Sequence, residues 1–219
     1  MYELYDLARG PLVWAAFIVF IGGGVYRLAA AFMMARKKDR VVFEYMSFYY
    51  ALRSLFHWVI PFASTSTRNK PVLTIVAFVF HIALFVVPIF LMAHIVMFKE
   101  SWNIAWCYLP AIAADGLTLI VIFACVFFLI RRIVSPDVRF LSSAADYGVL
   151  LLVAAPFVTG FWASQQWAGY EIVSIAHMLS GELLLASIPF TRLSHMFFFP
   201  LTRMYAGSEF GAVRHARDW

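Results

Sequence analysis

From Val72 to Phe98 the chain runs without an Asp, Glu, Lys or Arg. As a helix rising about 1.5 Å per residue, such a stretch spans the ~30 Å hydrocarbon core of a bilayer. Four more stretches read the same way: Leu12–Met34, Trp106–Ile130, Ala144–Ala163 and Ile172–Phe198. Only 13% of the residues are charged, against about 25% in an ordinary soluble domain. The expected fold is therefore all-α and integral to a membrane: one five-transmembrane-helix bundle over residues 1–219, with no soluble domain and no internal repeat.

The polar residues punctuate these stretches. Met1–Gly10 carries Glu3 and Asp6 rather than a basic leader, so the first helix reads as retained. Arg36-Lys37-Lys38-Asp39-Arg40 stops it. In the segment 41–71, Tyr45, Phe48, Tyr49, Leu52, Leu55 and Phe56 recur at helical spacing. Val41–Val59 is expected to be an amphipathic helix at the interface or docked on a partner, followed by a polar turn over Phe62–Pro71. Pro88, Pro156 and Pro189 are expected to kink their helices.

Charge sets the expected orientation. Arg36, Lys37, Lys38, Arg40, Arg53, Arg68, Lys70, Arg131, Arg132, Arg139, Arg192, Arg203, Arg214 and Arg217 fall on one side, and only Arg9 and Lys99 on the other. The basic side should be cytoplasmic. The N-terminus is then outside and the C-terminus inside, in a multi-pass protein of the cytoplasmic membrane.

With that orientation, His94 and His177 lie toward the outer surface, and His81 and His195 toward the inner. Antiparallel helices match them in depth as His94 with His177 and His81 with His195. His177 and His195 are 18 residues apart, about five turns and about 27 Å along one helix, so both face the same side. His81 and His94 are 13 apart and fall off one face of an ideal helix; Pro88 between them is expected to re-aim one. Neutral imidazole is a common axial ligand of haem iron, and bundle interiors are where such sites are built. Two haem irons held by His81, His94, His177 and His195 are the first reading. A single haem on one pair, or a haem-free anchor or transporter-like subunit whose histidines bond between helices, are the alternatives. Cys107 and Cys125 read as packed thiols: the chain has no CxxC and no CxxCH. His57 beside Trp58 reads as a headgroup-level residue and His215 as solvated.

Phe80-His81-Ile82 with a second histidine later in the helix, Ser135-Pro136-Asp137-Val138-Arg139 with Ala145-Asp146, Pro189-Phe190-Thr191-Arg192-Leu193-Ser194-His195, and the His177–His195 spacing together resemble the cytochrome b (gamma) subunit of respiratory nitrate reductase. The resemblance covers about Val72–Arg217. It implies a five-helix subunit with two non-covalent b haems, moving electrons between a quinol and an iron–sulfur subunit. The Val41–Pro71 insertion, with Phe56-His57-Trp58-Val59-Ile60-Pro61-Phe62, is more similar to the related membrane subunits of sulfate-reducer transmembrane redox complexes. These join periplasmic multihaem cytochrome c or menaquinone to a cytoplasmic heterodisulfide-reductase-like iron–sulfur protein. The implied cofactors are two haem b, with menaquinone as a further one. The implied partners are those soluble and membrane subunits and lipid, with no nucleic acid. Nitrate reduction is not expected of this chain, and its own enzymatic role is left open between none and quinol chemistry.

Arg192, one turn before His195, and Arg27 inside the first helix are candidate partners of haem propionates. The alternatives are a positive-inside anchor for Arg192 and a side chain snorkelling to the surface for Arg27. Glu182 and Asp115 are candidates for proton relay or for interhelical bonding. Lys99, Glu100, Gln165, Gln166 and Glu171 gather on the outer side, where a quinol would need polar partners.

Overall fold

A computed structural model describes residues 2–219. Its helices are α1 (Tyr2–Leu7), α2 (Val13–Lys38), α3 (Val41–Glu44), α4 (Phe48–Val59), α5 (Thr65–Arg68), α6 (Pro71–Phe90), α7 (Met92–Trp102), α8 (Ala111–Val134), α9 (Pro136–Leu141), α10 (Ala144–Ser164), α11 (Tyr170–Ser187) and α12 (His195–Ser208). A π-helical turn, Ala8–Leu12, joins α1 to α2, and another, Glu209–Val213, follows α12. Two 3-10 turns, Ile188–Phe190 and Arg192–Ser194, separate α11 from α12. No strand occurs among the described residues.

Five helical stretches among the described residues are long and apolar enough to cross a membrane: Tyr2–Lys38, Pro71–Phe90, Ala111–Val134, Ala144–Ser164 and Tyr170–Phe190. Five such helices are consistent with a multi-pass membrane protein. Large apolar side chains such as Ile18, Ile82, Phe123 and Leu151 stand exposed on them, which suits acyl chains as solvent. Small groups contribute to the contacts between helices, where they let the backbones approach closely. On α8, Ala114, Thr118, Val121 and Cys125 recur at helical spacing and are buried; α10, packed against α8, buries Val153, Pro156 and Phe157. The Thr118 hydroxyl donates to the Ala114 carbonyl (2.8 Å), so its burial leaves no donor unpaired.

Helix termini follow from local chemistry. Pro71 opens α6 and Pro136 opens α9, where a missing N–H costs nothing. Arg131 and Arg132 close α8 and complement its dipole. The Ser143 N–H and hydroxyl both donate to Asp146 Oδ2 at 2.8 Å, capping α10. Arg132 lies 3.8 Å from the other carboxylate oxygen and donates to the Ser142 hydroxyl (2.9 Å). Asp146 is only 4% exposed, so it ties the end of α8 to the start of α10. Asp146→Ala is expected to destabilise the protein by about 2 kcal/mol, the scale of charge-assisted bonds lost together with a cap. The thermal midpoint in detergent checks this, and an unmoved midpoint would remove Asp146 from the list of structural residues.

Three sequence expectations are corrected. The helix expected over 72–98 is two helices, broken at Leu91, whose backbone is extended (φ −72°, ψ 128°). The helix expected over 172–198 ends at Ser187, and an extended Thr191 (φ −113°, ψ −175°) lies between the two 3-10 turns before α12 begins. His177 and His195 therefore sit on separate helices, and a five-turn count along one axis does not relate them. The amphipathic helix expected over 41–59 is interrupted between Glu44 and Phe48. Pro156, by contrast, leaves α10 unbroken.

The chain divides into two compact units. The first comprises Val76–Leu184 with the chain up to Pro11. It contains the α8–α10 pair and an ion pair between Arg9 and Glu100. The second comprises Leu12–Ile75 with Leu185–Trp219. Here α4 lies along α12, with Ala51 and Ser54 fully buried. The Ser47 N–H donates to the Ser208 hydroxyl (2.7 Å). The last residues fold back onto this pair. Ser54 donates to Asp218, Arg203 lies 4.0 Å from the same carboxylate, and Trp219 stacks on His57 with ring centroids 4.0 Å apart. Arg53 covers the other rings of the cluster, Tyr50 and Trp219.

Candidate functional site

His81, His94, His177 and His195 share one feature. Each ring donates its Nδ1–H to a backbone carbonyl: His81 to Ala77 (2.7 Å), His94 to Pro88 (2.8 Å), His177 to Pro156 (2.8 Å) and His195 to Arg192 (2.9 Å). A carbonyl oxygen only accepts, so each Nδ1 carries a proton, and in the neutral ring the lone pair is then on Nε2. This is the ligand form of imidazole, with the second nitrogen's bond fixing the ring's direction.

At His81 and His195 the acceptor lies within one turn of the ring's own chain. At His94 and His177 the arrangement is built from further away. The break at Leu91 ends α6 and frees its last carbonyls. The Pro88 oxygen takes His94, the Ile89 oxygen takes the Trp106 indole N–H (2.8 Å), and the Phe90 oxygen takes the Leu109 N–H (2.9 Å). No freed acceptor in this row is wasted. His94 is carried on α7, which starts just after the break. His177 reaches from α11 to the Pro156 carbonyl of α10, and a carbonyl has two lone pairs to offer.

These two rings face one another in the first unit. Their planes are within 12° of parallel and their centroids are 6.1 Å apart. The directly stacked His57–Trp219 pair has centroids 4.0 Å apart, closer than those of His94 and His177. A metal–imidazole bond of about 2.0 Å, with about 1.1 Å from nitrogen to ring centre, places two opposed ligands of one metal at about 6.2 Å centroid to centroid. The centroid spacing of His94 and His177 matches that value as a distance, at 6.1 Å. Among the described residues no group of three or more His, Cys, Asp or Glu side chains is arranged to hold a metal ion. A macrocycle that brings four ligands of its own needs only two from the protein.

The remaining sequence candidates are placed as follows. His81 belongs to the first unit and His195 to the second. Arg192 lies in the 3-10 turn before α12, and its carbonyl orients His195. Arg27 lies over the Phe198 ring, 5.5 Å from its centre. Asp115 accepts a bond from Gln165 Nε2 (2.9 Å) and so links the ends of α8 and α10. Glu182 Oε1 is buried with no hydrogen-bond partner among the described residues. Cys125 is buried, while Cys107 is exposed rather than packed. His57 donates to the Arg53 carbonyl and lies under Trp219, and His215 is exposed.

Sequence reasoning missed the carbonyls of Pro88 and Pro156 and missed Gly160. A Cβ built on Gly160 would lie 2.8 Å from His177 Cε1 and 2.9 Å from its Nδ1. The prolines gave no direct signal for these acceptors, since a proline frees the carbonyl four residues before it and not its own. Gly160 gives no local signal, because its meaning depends on a ring from another helix.

The chain is thus all-helical among the described residues, with five helices long and apolar enough to cross a membrane and with His94 and His177 near-parallel at 6.1 Å in its first unit. The chain is 35% identical over 215 residues to a protein of Nitratidesulfovibrio vulgaris (strain Hildenborough) that bears the name "Protein", with 96% of this chain and 95% of the relative aligned. It belongs to that protein's family. No protein-family model matches it.

Proposed function

We propose that the chain is a dihaem b-type cytochrome subunit, similar to the gamma subunit of respiratory nitrate reductase. In this reading it carries electrons across the cytoplasmic membrane. The donor or acceptor outside is menaquinol or a multihaem cytochrome c, and the partner inside is an iron–sulfur subunit. The observation that carries the reading is the opposed His94–His177 pair, at 6.1 Å and nearly parallel. A bound b haem supplies reversible one-electron chemistry at its iron.

The protein's part is to hold, orient and enclose. Pro88 and Pro156 carbonyls hold the His94 and His177 rings in the tautomer that offers Nε2. The second ligand pair, His81 and His195, is proposed from the resemblance carried by Phe80-His81-Ile82 and by Pro189-Phe190-Thr191-Arg192-Leu193-Ser194-His195. Arg192 and Arg27 supply guanidinium groups for propionates on the inner side. The charge asymmetry supports a cytoplasmic C-terminus, which makes His94–His177 the outer pair. On that side Lys99, Glu100 and Gln165 offer polar groups to a quinol. The basic inner face, including α4 and the tail, is suited to docking the iron–sulfur partner.

The test is haem extraction and a reduced-minus-oxidised visible spectrum of the purified chain. Two low-spin b haems per chain are expected. One haem would reduce the reading to a single site. A folded, colourless protein would replace it with a membrane anchor.

A further inference from the structure

We propose that Gly160 is a positioning residue for the outer site, setting the plane of the His177 ring. This rests on the cytochrome reading and adds to it a residue that bears no ligand atom. His177 projects from α11 and reaches the Pro156 carbonyl of α10, which brings its Cε1–Nδ1 edge close to Gly160. Gly160 is one turn beyond Pro156, under the ring. A methyl group there would meet Cε1 at 2.8 Å and Nδ1 at 2.9 Å, with Nε2 at 3.6 Å. Carbon atoms do not approach so closely, so the ring would have to move. It is tethered at Nδ1, and the hinge left to it is a rotation that breaks the tether or tilts the plane. Either change destroys the 12° alignment with His94. The requirement is local to this glycine: Gly148 on α10 and Gly181 on α11 have open space where a Cβ would go.

Ligand-plane angle has its own spectroscopic signature. Near-parallel axial imidazoles give ferric haem a rhombic low-spin electron paramagnetic resonance signal, and crossed planes give a strongly anisotropic one. The experiment uses the full chain with its haems. Spectra are taken of wild type, His177→Ala, Gly160→Ala, Gly148→Ala and Gly181→Ala. The signal lost in His177→Ala identifies the outer haem, and in wild type it should be rhombic. Gly160→Ala should abolish that rhombic signal and leave the inner haem at its wild-type content. The two control variants should leave both signals unchanged.

A strongly anisotropic wild-type signal for the outer haem would overturn the inference without any glycine variant, so it stays exposed even if Gly160→Ala fails to fold. Two haems in wild type with an unchanged rhombic signal in Gly160→Ala would overturn the positioning role alone. Haem-free wild type would overturn the cytochrome reading, and this inference with it.

Discussion

His94→Ala is expected to lose one haem and keep the other, cutting the α-band of the reduced spectrum by about half. His177→Ala should lose the same haem, and the double variant should lose no more than either. Ligands that close one site act as a unit, so their effects do not add. The expectation rests on the geometry of the pair, whose centroids stand 6.1 Å apart with planes nearly parallel, and on the carbonyl that fixes each ring. His94→Met is the informative companion. A thioether can replace one axial imidazole, and His/Met ligation raises the potential relative to two histidines. That variant should retain two haems, with one potential shifted upward. A His94→Ala protein with both haems intact would show that His94 ligates nothing. A double variant that loses both haems would show that the two residues serve different sites.

Gly207→Val is expected to detach α4 from α12. A Cβ at Gly207 would lie 2.2 Å from Ser54 Cβ and 2.8 Å from the Tyr50 carbonyl oxygen, and one at Gly211 would lie 2.2 Å from the Tyr50 ring. The obstacle at Gly207 includes backbone, which cannot rotate away. Two glycines one turn apart thus form the flat strip on which α4 lies, with Ala51 and Ser54 buried against it. Overpacking of a tight contact costs about 1–3 kcal/mol, and a clash with a main chain belongs at the upper end, about 3 kcal/mol. The readout is proteolysis between Tyr45 and Lys70 alongside the thermal midpoint. Gly22→Ala, which has open space around it, is the control and should change neither. Resistance to protease at wild-type level in Gly207→Val would show that α4 is held by other contacts.

What the sequence made legible depended on how far each signal reaches along the chain. An apolar run long enough to span lipid is a property of consecutive residues, and the helix expected over 144–163 is found at Ala144–Ser164. Prolines announced distortion but not its form. Pro88 was expected to re-aim a histidine, yet the chain breaks three residues later, at Leu91, and it is the Pro88 carbonyl that holds the ring. Pro189 was expected to kink one helix, and instead two 3-10 turns and an extended Thr191 end it. A missing N–H says which bond is lost and leaves open which residues reconnect the chain. Pairing His94 with His177 was possible from depth alone. Ring planes, tautomers and the space over Gly160 depend on side chains brought together from α7, α10 and α11, and no spacing along one helix records them.

The break at Leu91 also ties a ligand to a surface. Pro88, Ile89 and Phe90 present consecutive acceptors, which hold the His94 imidazole, the Trp106 indole and the Leu109 amide in turn. The first grips the ligand ring; the other two grip the segment between α7 and α8, where Tyr108 stands exposed. One peptide unit separates the anchor of the ligand from the anchor of the segment. A load applied to that segment is therefore delivered to the last turn of α6, at the place where the orientation of His94 is set.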